Sequence, residues 1–258
     1  MAVDVSQMSQ TSASLSLAEV ARLPFARRLR HPLYWAWVRF MVFGRATPAT
    51  LFAFMGYLQY GHARDAVATV GRGASVWHAF GAVTPRILYV IFCCIPVGLY
   101  LTRPMPAARD GRLVARSAAF LGTTMQLFVG AWIPLHHQLW QSPDWARDLA
   151  GLMSIFALTF AILSLGYLRR SLSIIPEARR LVTGGPYHWV RHPLYFAEIT
   201  SAIALVLTLP YLTPVLSLIA FIGLQNLRAH FEERLLRANF PDYDGYARRT
   251  RRLIPFVW

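Results

Sequence analysis

LAGLMSIFALTFAILSLGYL, residues 149–168, contains no charged side chain. Twenty apolar positions are what a helix needs to cross about 30 Å of hydrocarbon. The chain around it has the same character. Of 258 residues, 55% are hydrophobic and only 15% charged, where a soluble domain carries about a quarter. Further apolar runs lie near 86–102, 115–135, 194–209 and 211–228, and a sixth lies within 33–60, where Arg39, Arg45 and Pro48 interrupt it. The pattern predicts an all-α integral membrane protein with about six spans, the range being five to seven. The last two spans are joined only by the turn around Pro210 and Pro214, and so form a tight helical hairpin.

Arginine placement gives an independent count. The net charge of +14 comes from 26 arginines and no lysine. Segments 1–32, 103–116, 169–193 and 228–258 hold 4, 4, 5 and 7 of them. Six spans put these four segments on one side, which the positive-inside rule makes cytoplasmic, with both termini there. Short basic segments between apolar runs belong to a membrane surface and not to a nucleic-acid interface. Residues 1–32 read as a disordered or interfacial N-terminal segment, and 33–258 as a single membrane domain. MAVDVSQMSQTSASLS has no basic n-region followed by an apolar core, which excludes a secretory signal peptide.

Cys93 and Cys94 are adjacent on a helix and point about 100° apart, so they suggest neither disulfide nor metal site. His136 and His137, with only Asp144 near, fit an interfacial role better than metal ligation. GRGAS (71–75) follows no strand-like run and does not make a soluble nucleotide-binding turn. The reading includes no metal.

RHPLY occurs twice, at 30–34 and 191–195. Arg at headgroup level, Pro in a first helical turn and Tyr in the aromatic belt account for both copies as starts of membrane helices. Their surroundings differ. The second copy follows LVTGGPYHWV (181–190) and precedes, after one hairpin, HFEERLLRANFPDYDGYARRTRRLIPF (230–256). Gly184 and Gly185 permit close backbone approach or positive φ, and Pro186 stiffens the turn. Glu232 and Glu233 have two readings: i,i+4 pairs with Arg228 and Arg237 on a solvated helix, or carboxylates facing the Gly-Gly-Pro-Tyr loop.

The order Gly-Pro-Tyr, Arg-His-Pro-x-Tyr, hairpin, Glu-Glu-x-x-Leu, spaced tyrosines and Ile-Pro resembles the isoprenylcysteine carboxyl methyltransferase and phospholipid methyltransferase family over residues 160–256. The resemblance implies S-adenosylmethionine as methyl donor, bound at the cytoplasmic face. It also implies a lipophilic acceptor, carboxylate, amine or thiol, arriving from the bilayer. It places Gly185, Pro186, Tyr187, Arg191, His192, Pro193 and Tyr195 on one wall of the cofactor site. Glu232 and Glu233 lie opposite, and Tyr243, Tyr246 and Arg252 in the segment closing over it. Arg191, His192 and Glu233 are the catalytic candidates: Arg191 as a carboxylate clamp, His192 or a glutamate as base for a protonated acceptor. Ala197 and Pro241 stand where many members have Gly. Two rivals remain at this level. One is an NADPH-dependent membrane reductase of the sterol-reductase type, with the cluster Arg248, Arg249, Arg251, Arg252 reading a phosphate. The other is a non-enzymatic scaffold or transporter subunit, with Glu198 as its intramembrane ionisable residue. Arginine usage points to a bacterial inner membrane.

Overall fold

The computed structural model describes residues 17–70, 76–106, 108–129 and 137–254. Outside them lie most of the N-terminal tail, GRGAS (71–75), His136, the end of the run 115–135, and Pro255. The chain divides into two compact units, Met1–Thr47 and Pro48–Trp258.

The first unit carries α1 (Leu17–Arg22), α2 (Phe25–Arg28), α3 (Pro32–Arg39) and a π-helical stretch, Phe40–Ala46. His31 is the N-cap of α3, and its Nδ1 accepts from the Leu33 N–H at 3.2 Å, with Pro32 in the first helical position. This satisfies a donor that the helix itself leaves open. The π-helical stretch has a steric reason for its glycine: a Cβ on Gly44 would lie 2.5 Å from the Phe40 ring. The expected span within 33–60 is therefore two helices with a π segment between them.

The remaining helices are α4 (Thr47–Val70), α5 (Val76–Thr102), α6 (Leu113–Phe128), α7 (Asp144–Leu168), α8 (Pro186–Trp189), α9 (Pro193–Thr208), α10 (Leu212–Asn239) and α11 (Tyr243–Arg249). Among the described residues the only sheet is an antiparallel pair of two-residue strands, β1 (Ala108–Arg109) and β2 (Glu177–Ala178). Three segments are long and apolar enough to cross a membrane, Ala79–Thr102, Asp144–Ser171 and Leu212–Asn239, and Pro193–Thr208 is a shorter apolar helix. The protein is thus a multi-pass α-helical membrane protein.

Small residues let these helices approach, as expected where no hydrophobic effect drives helix association. α7 packs against α5 and α9, and α10 against α6 and α9. The buried face of α7 carries Ala146, Ala150, Ala157 and Ala161, that of α9 Ala197, Ala202 and Ala204, and that of α6 Ala115, Ala118 and Ala119. A Cβ on Gly151 of α7 would sit 3.2 Å from the Gly81 carbonyl of α5. Phe196 of α9 meets Phe156 and Phe160 of α7 edge-to-face.

The hairpin of α9 and α10 turns through Leu209, Pro210 and Tyr211, and the segment after residue 136 closes that end. Leu139 N donates to the Pro210 carbonyl at 2.8 Å, and the His137 carbonyl accepts from Leu212 N at 3.0 Å. His137 thus serves the hairpin through its backbone. α10 continues eleven residues past the apolar run that ends at 228, so the glutamate pair rides on the same helix that crosses the apolar layer.

Candidate functional site

Two segments distant in sequence are joined at one end of the hairpin. Val190 pairs with Arg251 in a parallel bridge. Arg191 N donates to the Arg251 carbonyl at 2.7 Å, and His192 N to the Arg252 carbonyl at 3.1 Å. The Tyr246 hydroxyl donates to the Tyr187 carbonyl at 2.7 Å. The Arg191 guanidinium completes the seam, its Nη1 donating to the carbonyls of Ala247 and Thr250 at 2.7 and 2.6 Å. The C-terminal segment therefore closes over the Gly-Pro-Tyr and Arg-His-Pro stretches.

The loop beneath it needs its glycine. Gly185 has φ +60°, and a Cβ there would lie 2.5 Å from the Tyr167 ring. Both the left-handed backbone and the aromatic wall exclude a side chain. Gly184 is under no such constraint, its nearest neighbour being 3.8 Å away. Pro186 and Pro193 occupy the first positions of α8 and α9, where a missing N–H costs nothing.

Glu233 is the hub. Its Oε1 accepts from Arg191 Nε at 3.0 Å, lies 3.1 Å from His192 Nε2 and 3.3 Å from Arg252 Nε. The neighbouring Glu232 accepts from the Tyr195 hydroxyl and lies 3.6 Å from His192 Nδ1. The His192 and Tyr195 rings stack at 5.2 Å with 1° between their planes. The solvated-helix reading of the two acids fails here: Arg237 bonds to Asp244 at 2.7 Å, and Arg228 turns to Gln225 at 2.8 Å.

This environment fixes protonation. Burial pushes the His192 imidazole down, but the hydrogen bonds and charges of Glu232 and Glu233 outweigh it and hold the pKa above the ordinary imidazole value. Burial, with Glu232 and other anions adding to it, also raises the Tyr187 phenol well above its usual range. Burial takes Tyr246 up to about 12. These phenols keep their protons at any physiological pH.

The two RHPLY copies share a helix start and differ in what the histidine reaches. Each histidine is an N-cap followed by proline at the first helical position. His31 spends its ring nitrogen on its own helix, whereas the His192 side chain makes no cap bond and reaches α10 instead.

A cleft opens beside the hub. Tyr187, Arg191, His192, Tyr195, Glu232 and Tyr246 line its polar end, and Phe52, Phe92, Tyr100, Leu165, Leu168 and Leu194 its apolar walls. Tyr187, Arg191, His192, Pro193, Tyr195, Glu232 and Tyr246 are cleft-lining candidates, while Gly185, Pro186 and Glu233 act just behind the surface. Arg248 and Arg249 flank a separate recess with Asp242, and Arg252 turns to Glu233.

Residues 149–238 match the model of the isoprenylcysteine carboxyl methyltransferase (ICMT) family. This segment is an ICMT-family domain. It spans α7 through nearly all of α10, and so contains the Gly-Pro-Tyr loop, Arg191, His192 and both glutamates. Two bacterial relatives are similar over parts of the chain. The nickel-cobalt-cadmium resistance protein NccN of Alcaligenes xylosoxydans xylosoxydans is 35% identical over 80 residues, 31% of this chain and 38% of that protein. The cobalt-zinc-cadmium resistance protein CzcN of Cupriavidus metallidurans is 33% identical over 131 residues, 50% of this chain and 59% of that protein. The chain thus spans less than two thirds of either relative's length.

Two groups of site-bordering residues escaped the sequence reading. Glu177 binds Arg103 at 3.3 Å and Arg179 at 2.8 Å, all three side chains nearly enclosed, and accepts from the Ser173 hydroxyl at 2.9 Å. These are loop charges with no spacing signal. Gln225 and Arg228, in contrast, are polar residues in an apolar helix, and their depth was a usable signal.

Proposed function

We propose that this protein is an S-adenosylmethionine-dependent membrane methyltransferase acting on a lipophilic acceptor. The observation that carries this reading is the Glu233 hub, where three cations from the loop and the C-terminal segment converge on one carboxylate and shut a roof over a cleft that is polar at one end and apolar along its walls.

The residues present fit the donor. The Tyr243 hydroxyl is buried with no hydrogen-bond partner among the described residues and lines the cleft, so it offers an unused donor to a polar ligand. Glu232 faces the same space, aimed by Tyr195, and suits ribose hydroxyls or an ammonium. Tyr187 and Tyr246 supply aromatic surface for a nucleoside base. The apolar walls formed by Phe52, Phe92, Leu165, Leu168 and Leu194 suit an acceptor tail.

The bound sulfonium donor supplies an electrophilic methyl group. The chain's own work is positioning and exclusion of water. Arg191, His192 and Arg252 neutralise Glu233 and hold the roof closed. His192 has a carboxylate at each nitrogen, which favours its protonated form, so the proton acceptors of the cleft are the carboxylates. Arg191 already spends Nε and Nη1 on the roof, leaving Nη2 for a ligand carboxylate.

In this reading six spans place both termini and the cleft in the cytoplasm of a bacterial inner membrane. The relatives' names set the activity within metal resistance, as modification of a membrane component. Calorimetric titration of the detergent-purified protein with S-adenosylmethionine, S-adenosylhomocysteine and NADPH tests the assignment. Micromolar binding of both adenosyl ligands, lost in Glu232→Ala, is expected. Binding of NADPH alone would move the protein to the reductases.

A further inference from the structure

The donor site leaves the acceptor open, and a second polar group in the same cleft narrows it. Glu198 of α9 and Gln225 and Arg228 of α10 meet inside the apolar hairpin. Gln225 Nε2 donates to Glu198 Oε2, and Gln225 Oε1 accepts from Arg228 Nη1 at 2.8 Å. The same Nη1 lies 3.7 Å from Glu198 Oε2. The Arg228 guanidinium covers the Tyr195 ring at 4.5 Å, and the Tyr195 hydroxyl donates to Glu232. The group is therefore tied directly to the donor end of the cleft. α6 is cut back to admit it, since a Cβ on Gly122 would lie 2.6 Å from Arg228 Cδ. Ionisable groups in an apolar layer are costly and are not a default of packing.

Every bond to Glu198 uses Oε2. Its Oε1 has no partner among the described residues, while the side chain is 29% exposed and lines the cleft. Arg228 also lines the cleft but is far more enclosed, its side chain 5% exposed, and its Nε, which also lacks a partner, has no accessible surface. Most of the polar surface that a ligand meets at this point is therefore the Glu198 carboxylate, with the guanidinium largely behind it. Phe92, Tyr100, Leu165 and Leu194 form the apolar wall alongside.

We propose that Glu198 recognises the polar head of the acceptor, and that this head is an amine or alcohol on an apolar tail and not a carboxylic acid. This inference rests on the methyltransferase reading. An ionised carboxylate only accepts hydrogen bonds, so the head opposite Oε1 must donate one. A carboxylate head brings like charge and no donor into a poorly solvated space, where both faults are heavily penalised. An ammonium head gains a charge-assisted bond, a hydroxyl head a weaker one.

The test uses three probes with one tail: octylamine, octanol and octanoate. Each is titrated calorimetrically into the purified full chain, with protein-free micelles subtracting partition into detergent. The wild type should bind octylamine or octanol about tenfold or more tighter than octanoate, and the order of those two tells which donor head the site prefers. Glu198→Gln should shrink the gap to about threefold, because its amide can donate to octanoate. The double variant Glu198→Gln/Arg228→Gln removes both charges and keeps the comparison available if the single variant leaves Arg228 too poorly compensated to fold. Octanoate binding as tightly as the other probes to wild type overturns the proposal, as does an unchanged gap in a folded variant. S-adenosylhomocysteine is titrated into the same samples. Lost head selectivity with intact adenosyl binding defeats only this inference, and intact selectivity without adenosyl binding defeats only the methyltransferase reading.

Discussion

Replacing Glu233 by alanine removes the anion shared by Arg191, His192 and Arg252. Its side chain is 11% exposed and that of Arg191 15%, so solvent screens the orphaned cations poorly. Breaking a buried pair by deleting one partner costs about 3–5 kcal/mol. Arg191 keeps its bonds to the carbonyls of Ala247 and Thr250, which places the loss at the lower end, about 3 kcal/mol. For a domain of this size that corresponds to a melting temperature lowered by roughly 6–12 °C. Glu233→Gln retains an acceptor oxygen and should lose about half as much. The readouts are thermal unfolding in detergent and limited proteolysis after Arg248 and Arg249, both of which are exposed. Cleavage there should rise in step with the loss of stability, because the roof opens locally before the bundle melts. A Glu233→Ala protein melting within 2 °C of wild type, with unchanged cleavage, would refute the claim that this carboxylate holds the C-terminal segment down.

Gly185→Ala meets both a positive φ and the Tyr167 ring and should cost about 2 kcal/mol or more, whereas Gly184→Ala should be nearly neutral; thermal unfolding of the pair checks this. The two histidines of the repeated motif should separate in the same assay coupled to ligand titration. His31→Ala should cost about 1 kcal/mol, as a lost N-cap does, and leave adenosyl binding intact, while His192→Ala should abolish binding. Because the folded pKa of His192 is raised, its contribution to stability is complete below the ordinary imidazole value and disappears as pH climbs through the folded value. Protection of the C-terminal segment from protease should therefore weaken as pH rises above about 6.5 in wild type and show no such step in His192→Asn.

The site was more legible than the architecture around it, for physical reasons. Gly185, Pro186 and Pro193 act within a few residues of themselves, so their turn and helix-start chemistry is written locally. Glu232 and Glu233 were ambiguous, since their i,i+4 neighbours Arg228 and Arg237 offered equally good partners. Only the folded hairpin shows that Arg237 goes to Asp244 and Arg228 to Glu198. Arg252 could not be told from Arg248, Arg249 or Arg251 by composition. What distinguishes it is the parallel pairing of Val190 with Arg251, a register no local pattern encodes. The Glu177 cluster joins three loop charges across some seventy residues and has no periodicity to read. Along the helices, hydropathy found the apolar runs but could not mark where α10 ends, because the amphipathic helix beyond residue 228 carries no hydropathy signal. The π segment at Phe40–Ala46 depends on Gly44 fitting under Phe40, a contact within one turn that charge and hydropathy do not report.

The most direct measurement of the central claim is transfer of a radiolabelled methyl group. Membranes containing the wild-type protein or Glu232→Ala are incubated with S-adenosylmethionine labelled in its methyl carbon, extracted with organic solvent, and counted. The account predicts label in the organic phase with wild type and background with the variant, at equal protein levels. Equal counts from both, or none from a wild-type protein that binds the donor, would contradict it.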